Sequence, residues 1–326
     1  MQSALSGRST HNEVELRLDV ARREVAADGV VAIELRLPTG QELPAWTPGS
    51  HIDVVLSPEL TRQYSLCGDP IDSSVWRIAV LREQQGRGGS AYIHDNLHAG
   101  ATVDIRGPRN HFALTSSPRY LFIAGGVGIT PLMPMVASAH AAGATWELHY
   151  GGRNLNSMAF GAQLVTEYGS AVTLHPQDEE GLLNLDALLG TPQPDTLVYC
   201  CGPEALLQAV EKRCAAWPTA ALHVERFAPR EQQEPVKHDT FEVQLAQRGV
   251  TIVVSPEQTV LQAVRDAGVE ILSSCGEGTC GTCETRVLAG EVDHRDSLLS
   301  PEEQEANDTM FICVSRAASS RLVLDL

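Results

Sequence analysis

The 326-residue sequence has no run of about 18 apolar residues, so no segment is predicted to span a membrane. Met1 to His11 lacks the apolar stretch of a secretory signal, and we therefore expect a cytoplasmic protein. Basic residues are scarce: 24 Lys and Arg stand against 41 Asp and Glu, giving a net charge of −17. This balance argues against nucleic acid as a partner, because a phosphate backbone repels an acidic surface. Internal repeats are also absent.

The eight cysteines form neither a disulfide framework nor a pair of CxxC motifs. Four are scattered, as reduced cytosolic thiols are. They are Cys67, Cys200, Cys201 and Cys214. The single CxxC pair, Cys280 and Cys283, has no second pair of the kind that structural zinc sites use. A Rieske centre would need two histidines beside two cysteines, and no such pattern is visible.

The other thiols have the spacing of a [2Fe–2S] cluster loop. Cys275, Cys280 and Cys283 form the pattern C-x4-C-x2-C, which is that of a plant-type ferredoxin. Cys313 follows in a segment predicted to be a strand or strand end, which would return to close the site. Glycines between the ligands permit the positive-φ turns through which backbone N–H groups face sulfur. The motif predicts a centre that carries one electron at a time.

Changes in composition predict three domains. Residues 1–115 contain short alternating segments between turn residues, which indicates an antiparallel β-barrel. Residues 116–228 begin with an apolar run and then alternate strand-like and helical patterns, typical of an open, mostly parallel α/β sheet. Residues 229–239 are polar with prolines, which indicates a linker. Residues 240–326 combine a predicted hairpin, a helix beginning at Thr259 and the cluster loop.

Two glycine turns that follow buried strands predict a dinucleotide site. Glycine lets the backbone approach a pyrophosphate, and the next helix presents its N-terminus to negative charge. Both turns are expected at the carboxyl edge of the sheet, where open α/β sheets bind ligands. For Arg153, an ordinary surface arginine that binds no ligand remains an alternative. The candidates are Gly125, Gly126, Gly128, Thr130, Pro131, Arg153, Cys201, Gly202 and Pro203.

The barrel sequence contains two signals for a flavin phosphate. Alternation places Arg62, Tyr64 and Leu66 on one face of a strand. Arg62 offers a bidentate fork to a phosphate, Tyr64 offers a flat ring, and Ser65 offers hydrogen bonds to a flavin. A glycine turn before a predicted helix is a second phosphate-binding device. That turn consists of Gly88, Gly89 and Ser90. Either motif alone would be better interpreted as an ordinary barrel strand or flexible turn.

In this order of motifs the chain resembles the phthalate dioxygenase reductase family, and the vanillate demethylase and carnitine monooxygenase reductases are similar. The motifs are RxYSL at 62–66, GxGGS at 86–90, GGVGITP at 125–131 and CGP at 201–203, followed by the ferredoxin cysteines. The resemblance extends from about Val14 to Leu326. It implies a multidomain fold: an antiparallel β-barrel for flavin, a parallel-sheet α/β NAD domain like that of ferredoxin reductases, and an α+β ferredoxin of the β-grasp type.

The resemblance also implies the cofactors and their sites. FMN would be held by Arg62 and residues 88–90 at its phosphate and by Tyr64 and Ser65 at its ring system, with Leu66, the last residue of the RxYSL motif, also in the FMN site. NADH would be the co-substrate, and the cluster would use the four cysteines of the C-terminal motif. The positions implied to orient hydride transfer are Ser65, Thr130, Cys201 and Phe227, with Glu225 beside the last. Cys201 is taken as the family position in the Cys200–Cys201 doublet because it precedes Gly202.

The function implied is electron transfer from NADH through FMN and the cluster to a Rieske-type non-haem-iron oxygenase acting on a small aromatic or carboxylic acid. Catalysis would then consist of positioning, without a side-chain acid or base. Two alternatives remain open: a reductase for a cytochrome P450, and a non-enzymatic redox-sensing or zinc-binding protein. Residues 238–326 carry 15 acidic residues and six arginines, which suits either a solvated acidic surface or a docking face for a basic partner.

Overall fold

The computed structural model describes residues 14–57, 60–230 and 239–326. The predicted linker 229–239 therefore lies mostly outside the described residues, as does the segment Met1 to His11. The chain divides into two compact units. The first comprises the residues up to Cys201 together with Val210–His223, and the second comprises Gly202–Ala209 together with Val224–Leu326. Within the described ranges, no helix combines the length and apolar character needed to cross a membrane.

The N-terminal part of the first unit is an antiparallel barrel. Its elements are β1 (Val14–Ala27), β2 (Val30–Arg36), β3 (Ser50–Ser57), β4 (Leu60–Ser65), β5 (Trp76–Leu81), α1 (Gly89–Asn96) and β6 (Thr102–Asn110). The strands form a six-stranded sheet in the order β4-β3-β6-β1-β2-β5. A bridge between Leu66 and Ile78 joins its two edges, and Cys67 N donates to Arg77 O at 2.8 Å beside it. This closure confirms the predicted barrel.

The barrel forms because alternate side chains of each strand turn inward. Ile33, Ile52, Leu66 and Trp76 are all less than 2% exposed, and Ile93 of α1 packs with them. Burial of each such side chain contributes about 1.5–3 kcal/mol. On β4, Tyr64 packs against this core while only partly buried, whereas the Arg62 side chain lies beside Gly89 of α1.

The α/β part contains strands and helices in alternation. They are β7 (Arg119–Gly125), α2 (Ile129–Ala141), β8 (Thr145–Gly152), α3 (Gly161–Tyr168), β9 (Val172–Pro176), α4 (Gln177–Glu180), α5 (Leu185–Leu189), β10 (Thr196–Cys201), α6 (Glu204–Cys214) and β11 (Leu222–Glu225). The sheet order is β11-β10-β7-β8-β9. Parallel pairing joins β10 to β7, β7 to β8 and β8 to β9. The central strand β7 is buried from Tyr120 onward, as its apolar run predicts.

The C-terminal part has a mixed sheet covered by one main helix. Its elements are β12 (Phe241–Leu245), β13 (Val250–Val254), α7 (Val260–Asp266), β14 (Glu284–Ala289), β15 (Val292–Asp293), α8 (Pro301–Ala306), β16 (Thr309–Phe311), β17 (Arg316–Ala317) and β18 (Arg321–Leu324). The five-stranded order is β13-β12-β18-β14-β16, with β12 and β18 parallel. This is the predicted β-grasp arrangement.

Helix α7 begins where the sequence predicts. Thr259 is its N-cap, because its side chain accepts from Gln262 N at 3.1 Å while Gln262 Oε1 accepts from Thr259 N at 3.0 Å. This reciprocal capping box satisfies two backbone donors that the first turn cannot pair internally. Val260 and Val264, both fully buried, fix the helix against the sheet. The helix end consequently directs the chain into the cysteine loop.

Candidate functional site

The four predicted cluster ligands converge in the second unit. Cys275, Cys280 and Cys283 lie in the connection between α7 and β14, and Cys313 lies in the turn after β16. The thiol of Cys275 is within hydrogen-bonding reach of the thiols of Cys280 and Cys313, and the thiol of Cys313 also reaches that of Cys283. The sheet therefore brings Cys313 next to three ligands of a loop whose last cysteine lies thirty residues earlier in the chain.

Backbone donors surround the sulfur atoms. The N–H groups of Glu277 and Thr279 donate to Cys275 Sγ at 3.2 and 3.5 Å, and Cys275 N donates to Cys280 Sγ at 3.4 Å. Hydrogen bonds from the Cys280 and Cys313 thiols, with these backbone donors, hold the pKa of Cys275 well below its usual range. The backbone N–H groups that face Cys275 Sγ and Cys280 Sγ would stabilise thiolate sulfur, which is the form that binds iron.

The donor set fits a [2Fe–2S] cluster. Cys280, Cys283 and Cys313 are buried, whereas Cys275 is only partly buried. Four thiols with inward-pointing N–H groups match the ligand type and the hydrogen bonding of such a centre. When bound, the cluster would therefore have one edge close to the protein surface, on the side of Cys275.

A neighbouring segment supports the loop, and sequence reasoning did not identify it. Gly278 has a φ of +70°, and a Cβ there would lie 2.6 Å from Val314 Cγ2 and 3.0 Å from Asp296 Cα. Ser297 N donates to Gly278 O at 2.9 Å. The fully buried Asp296 in turn accepts from Leu298 N and Leu299 N through Oδ1, at 3.0 and 2.8 Å. An aspartate followed by such a turn is the signal in the sequence that could have pointed to this supporting segment.

We predict that Gly278→Ala lowers the iron and acid-labile sulfide content of the purified protein. The added methyl group would press on the backbone at Asp296 and displace the loop between its ligands. Gly276→Ala is the matched control, because Gly276 has a similar φ of +68° but no atom within 4 Å of a Cβ. Both variants carry a positive-φ cost of about 1–2 kcal/mol. Equal cluster content in the two variants would contradict the role given to close packing.

The first unit contains a pocket wall suited to a phosphate group. Arg62 Nη2 donates to Arg87 O at 3.0 Å, and its Cγ would lie 2.4 Å from a Cβ on Gly89. The arginine side chain therefore lies against the first residue of α1, whose N-cap Gly88 has a φ of +83°. A guanidinium beside a helix N-terminus places two sources of positive potential together. Ser90 also belongs to this first turn, and its hydroxyl accepts from Glu83 N at 3.0 Å.

The remaining residues of the predicted flavin motif differ in position. Tyr64 is partly buried against the barrel core, and burial raises its pKa, so the ring stays neutral. Ser65 is 5% exposed and pairs with His51 of β3. Leu66, however, is fully buried in the barrel core beside Ile78. The side chain of Leu66 therefore belongs to the barrel core, and its assignment to the flavin site stays a prediction.

We predict that Arg62→Ala weakens retention of FMN, since it removes the charged fork beside the α1 N-terminus. FMN affinity is measured by fluorescence titration of the apoprotein. Arg82→Ala is the matched control. Arg82 lies outside α1 and forms an exposed ion pair, at 2.7 Å, with Asp95 of that helix. Loss of a charge-assisted phosphate contact should weaken binding by roughly ten-fold or more. Unchanged affinity in Arg62→Ala would refute the phosphate assignment.

The strands that precede the predicted dinucleotide turns end side by side at one sheet edge. Gly125 ends β7, and residues 126–128 form a short 3-10 turn that leads into α2. The strand register pairs Cys201 with Ala124 and Gly125 with Gly151, so the ends of three parallel strands meet. Thr130, within α2, is buried, and its hydroxyl donates to Val127 O at 3.0 Å. Its side chain therefore holds the glycine turn itself.

Arg153, Pro131 and Cys201 are the other predicted nucleotide residues at this edge of the sheet. Arg153 follows β8, its side chain is exposed, and its carbonyl accepts from Asp178 N at 3.1 Å. Pro131 lies in the first turn of α2, where its missing N–H costs no helical hydrogen bond. Cys201 is fully buried at the end of β10. The edge thus has the backbone geometry of a pyrophosphate site, with one exposed cation beside it.

In the second unit, an ion pair connects two of the predicted motifs. Arg226 Nε donates to Glu204 Oε2 at 3.1 Å, and the arginine side chain is only 1% exposed. Glu204 directly follows Gly202 and Pro203, whereas Arg226 lies between Glu225 and the 49%-exposed Phe227. Sequence reasoning quoted both segments but did not pair these residues. The pair fixes the start of α6 relative to the segment that carries Phe227.

Comparison with known proteins agrees with this geometry. A model of the 2Fe-2S iron-sulfur cluster binding domain matches residues 243–318. The carnitine monooxygenase reductase subunit of Escherichia coli (strain K12) is 42% identical over 319 residues, which cover 95% of this chain and 98% of that protein. The structure of phthalate dioxygenase reductase, described as a modular structure for electron transfer from pyridine nucleotides to [2Fe–2S], is 34% identical, with a TM-score of 0.70, covering 96% of this chain and 98% of that one.

A second solved structure is similar over the same extent. It is an intact type IV self-sufficient cytochrome P450 monooxygenase, 46% identical with a TM-score of 0.91. The match covers 96% of this chain but only 41% of that one. The three modules described above therefore occur both as a separate protein and within a longer chain.

Proposed function

The chain belongs to the phthalate dioxygenase reductase family, and we propose that it delivers electrons from NADH to a Rieske-type non-haem-iron oxygenase acting on a small aromatic or carboxylic acid. As a member of that family it is an NADH-dependent oxidoreductase of an oxygenase system, with FMN and a [2Fe–2S] cluster as cofactors. A non-enzymatic sensor or zinc protein is therefore not supported. The observation that carries the proposal is the four-thiol loop, joined in one chain to the phosphate and dinucleotide turns.

The protein contributes binding and orientation. When bound, FMN accepts the two electrons of a hydride, and the cluster passes electrons on singly. In our proposal Arg62 and the first turn of α1 hold the FMN phosphate, while Tyr64 and Ser65 hold the ring system. Thr130, Cys201 and Phe227 orient the nicotinamide. None of these side chains needs to move a proton, because hydride transfer depends on distance and alignment.

Electrons leave, in this proposal, from the side of Cys275. It is the one cluster ligand that is not fully buried, and the segment that precedes it carries the 58%-exposed Leu272 and the exposed Glu270. An exposed apolar side chain next to acidic groups suits a partner with an apolar patch ringed by basic residues. The acidic excess of residues 238–326 supports the same orientation, since it would steer such a partner.

A cytochrome P450 is the second candidate acceptor. The observation in its favour is the 46% identity to the reductase part of a self-sufficient P450. Against this, the relatives that this chain matches over nearly their whole length are separate reductases, and one is named for a dioxygenase, whose two-oxygen chemistry is not that of a P450. We therefore place the Rieske-type oxygenase first.

The choice is tested by mixing the NADH-reduced protein with purified acceptors in an anaerobic stopped-flow experiment. We expect the cluster absorption to recover rapidly with a Rieske-type oxygenase and slowly with a soluble P450. Electron delivery to each acceptor should fall as ionic strength rises if charge steers docking. Rapid recovery with the P450 alone would refute the proposed partner.

We predict that Cys280→Ser abolishes electron delivery to the oxygenase but leaves NADH oxidation with a two-electron dye intact. The reason is that the buried Cys280 thiol belongs to the cluster ligands, whereas the flavin and nucleotide residues lie elsewhere in the sequence. Cys214→Ser is the control, since Cys214 is a buried thiol of α6 outside the cluster. Loss of both activities in correctly folded Cys280→Ser protein would contradict a modular electron path.

A further inference from the structure

Two histidines and two glutamates form a line across strand β8, strand β9 and the end of helix α4. His149 Nδ1 lies 3.1 Å from His175 Nε2, and the rings are stacked with centroids 5.4 Å apart. The outer nitrogens each face a carboxylate: His175 Nδ1 is 3.2 Å from Glu180 Oε2, and His149 Nε2 is 3.5 Å from Glu147 Oε2. These side chains belong neither to the cluster loop, nor to the phosphate site at Arg62 and α1, nor to the glycine turns.

The line contains one ring-to-ring contact and two approaches of a ring nitrogen to a carboxylate, the longer of them at His149 Nε2. Each neutral imidazole carries one N–H, so two protons serve three contacts. If both rings donate outward to the glutamates, two nitrogen lone pairs face each other at 3.1 Å. If one ring donates to the other instead, a lone pair faces a carboxylate. His149 Nε2 is in fact buried without a hydrogen-bond partner among the described residues. His149 Nε2 gains a partner only if it carries the N–H toward Glu147, and the lone pair of His149 Nδ1 then faces His175 Nε2 without a proton to donate.

The contact between His149 Nδ1 and His175 Nε2 has the dimensions of a metal site. Two nitrogen ligands at 2.0–2.1 Å from a tetrahedral zinc ion lie about 3.3–3.4 Å apart, close to the 3.1 Å observed. An ion there would let both rings donate outward, so each ligating histidine would have the carboxylate partner that such ligands usually have. We propose that His149 and His175 bind one divalent ion of the zinc class.

The chemistry of the donors limits which ions fit. Imidazole nitrogen suits Zn²⁺, Ni²⁺ and Cu²⁺, whereas Mg²⁺ and Ca²⁺ prefer oxygen ligands. In residues 14–57, 60–230 and 239–326, no third His, Cys, Asp or Glu completes the set, so water fills the remaining positions. The histidine side chains are 13% and 20% exposed, which leaves the ion a path from solvent.

The site lies at the sheet edge that carries the predicted nucleotide turn. His175 is the direct ladder partner of Gly151, and Gly152 pairs with Pro176. An ion shared by β8 and β9 would therefore join the two strands next to Gly151 and Arg153. The proposal concerns ion binding and does not depend on which oxygenase accepts the electrons.

The test is equilibrium dialysis of the tag-free holoprotein against Zn²⁺, with metal content measured by elemental analysis. Only protein with full iron content is used, so that iron occupies the cluster thiolates. We expect saturable binding of one zinc ion per chain in the wild type and in His98→Gln. His98 is the control because it is an exposed histidine whose ring contacts only a backbone carbonyl in the described structure. His175→Gln should lose this binding.

Two further variants keep the test decisive. His149→Gln should also lose zinc, and Glu180→Gln, at an exposed position outside the strands, should bind zinc about 10- to 100-fold more weakly. Binding of Cu²⁺ offers an independent readout by electron paramagnetic resonance. In the oxidised protein, two imidazole ligands give the copper signal a characteristic nitrogen hyperfine pattern. Wild-type protein that binds no zinc would overturn the proposal. Equal binding by wild type, His175→Gln and His149→Gln would also overturn it.

Discussion

Negative charge on sulfur and phosphate has to be stabilised inside a protein that is itself strongly acidic, and the structure depends on how the backbone does this. At the cluster loop, N–H groups of Cys275, Glu277 and Thr279 point at thiol sulfur. Such a loop requires positive φ angles, and hence glycine, between its ligands. It also requires support from outside, which the segment beginning at Asp296 provides. Only a folded sheet can bring Cys313 back to the same place.

The same solution recurs in the first unit. Glycine turns lead directly into α1 and α2, so helix N-termini face the positions predicted for phosphates. Arg62 adds a full positive charge at one of these ends, held in place by the carbonyl of Arg87. A protein with a net charge of −17 can therefore bind anionic cofactors through local geometry, and in our proposal its overall charge orients a basic partner. Anion binding and partner attraction do not compete, because they use different length scales.

Family membership and physical chemistry explain different parts of the function. Similarity identifies a reductase of an oxygenase system. The residues explain why no acid or base is needed: the reaction is carried by the cofactors, and the chain determines distances. Tertiary ion pairs contribute to that task, as between Arg226 and Glu204. Because the charged arginine side chain is buried, losing its carboxylate partner would be costly, and the two motifs are therefore held in a defined relation.

The sequence alone determined the order of the domains, the strand and helix types, the four cluster cysteines and the glycine turns, because each is a local pattern. Strand alternation, a capping box at Thr259 and ligand spacing are all readable within about ten residues. Leu66 marks the limit of that approach: alternation gave its face, but only the closed barrel showed that this face is core there. The pairs His149–His175, Glu204–Arg226 and Gly278–Asp296 were decided by tertiary structure, since folding brings together residues that share no local pattern.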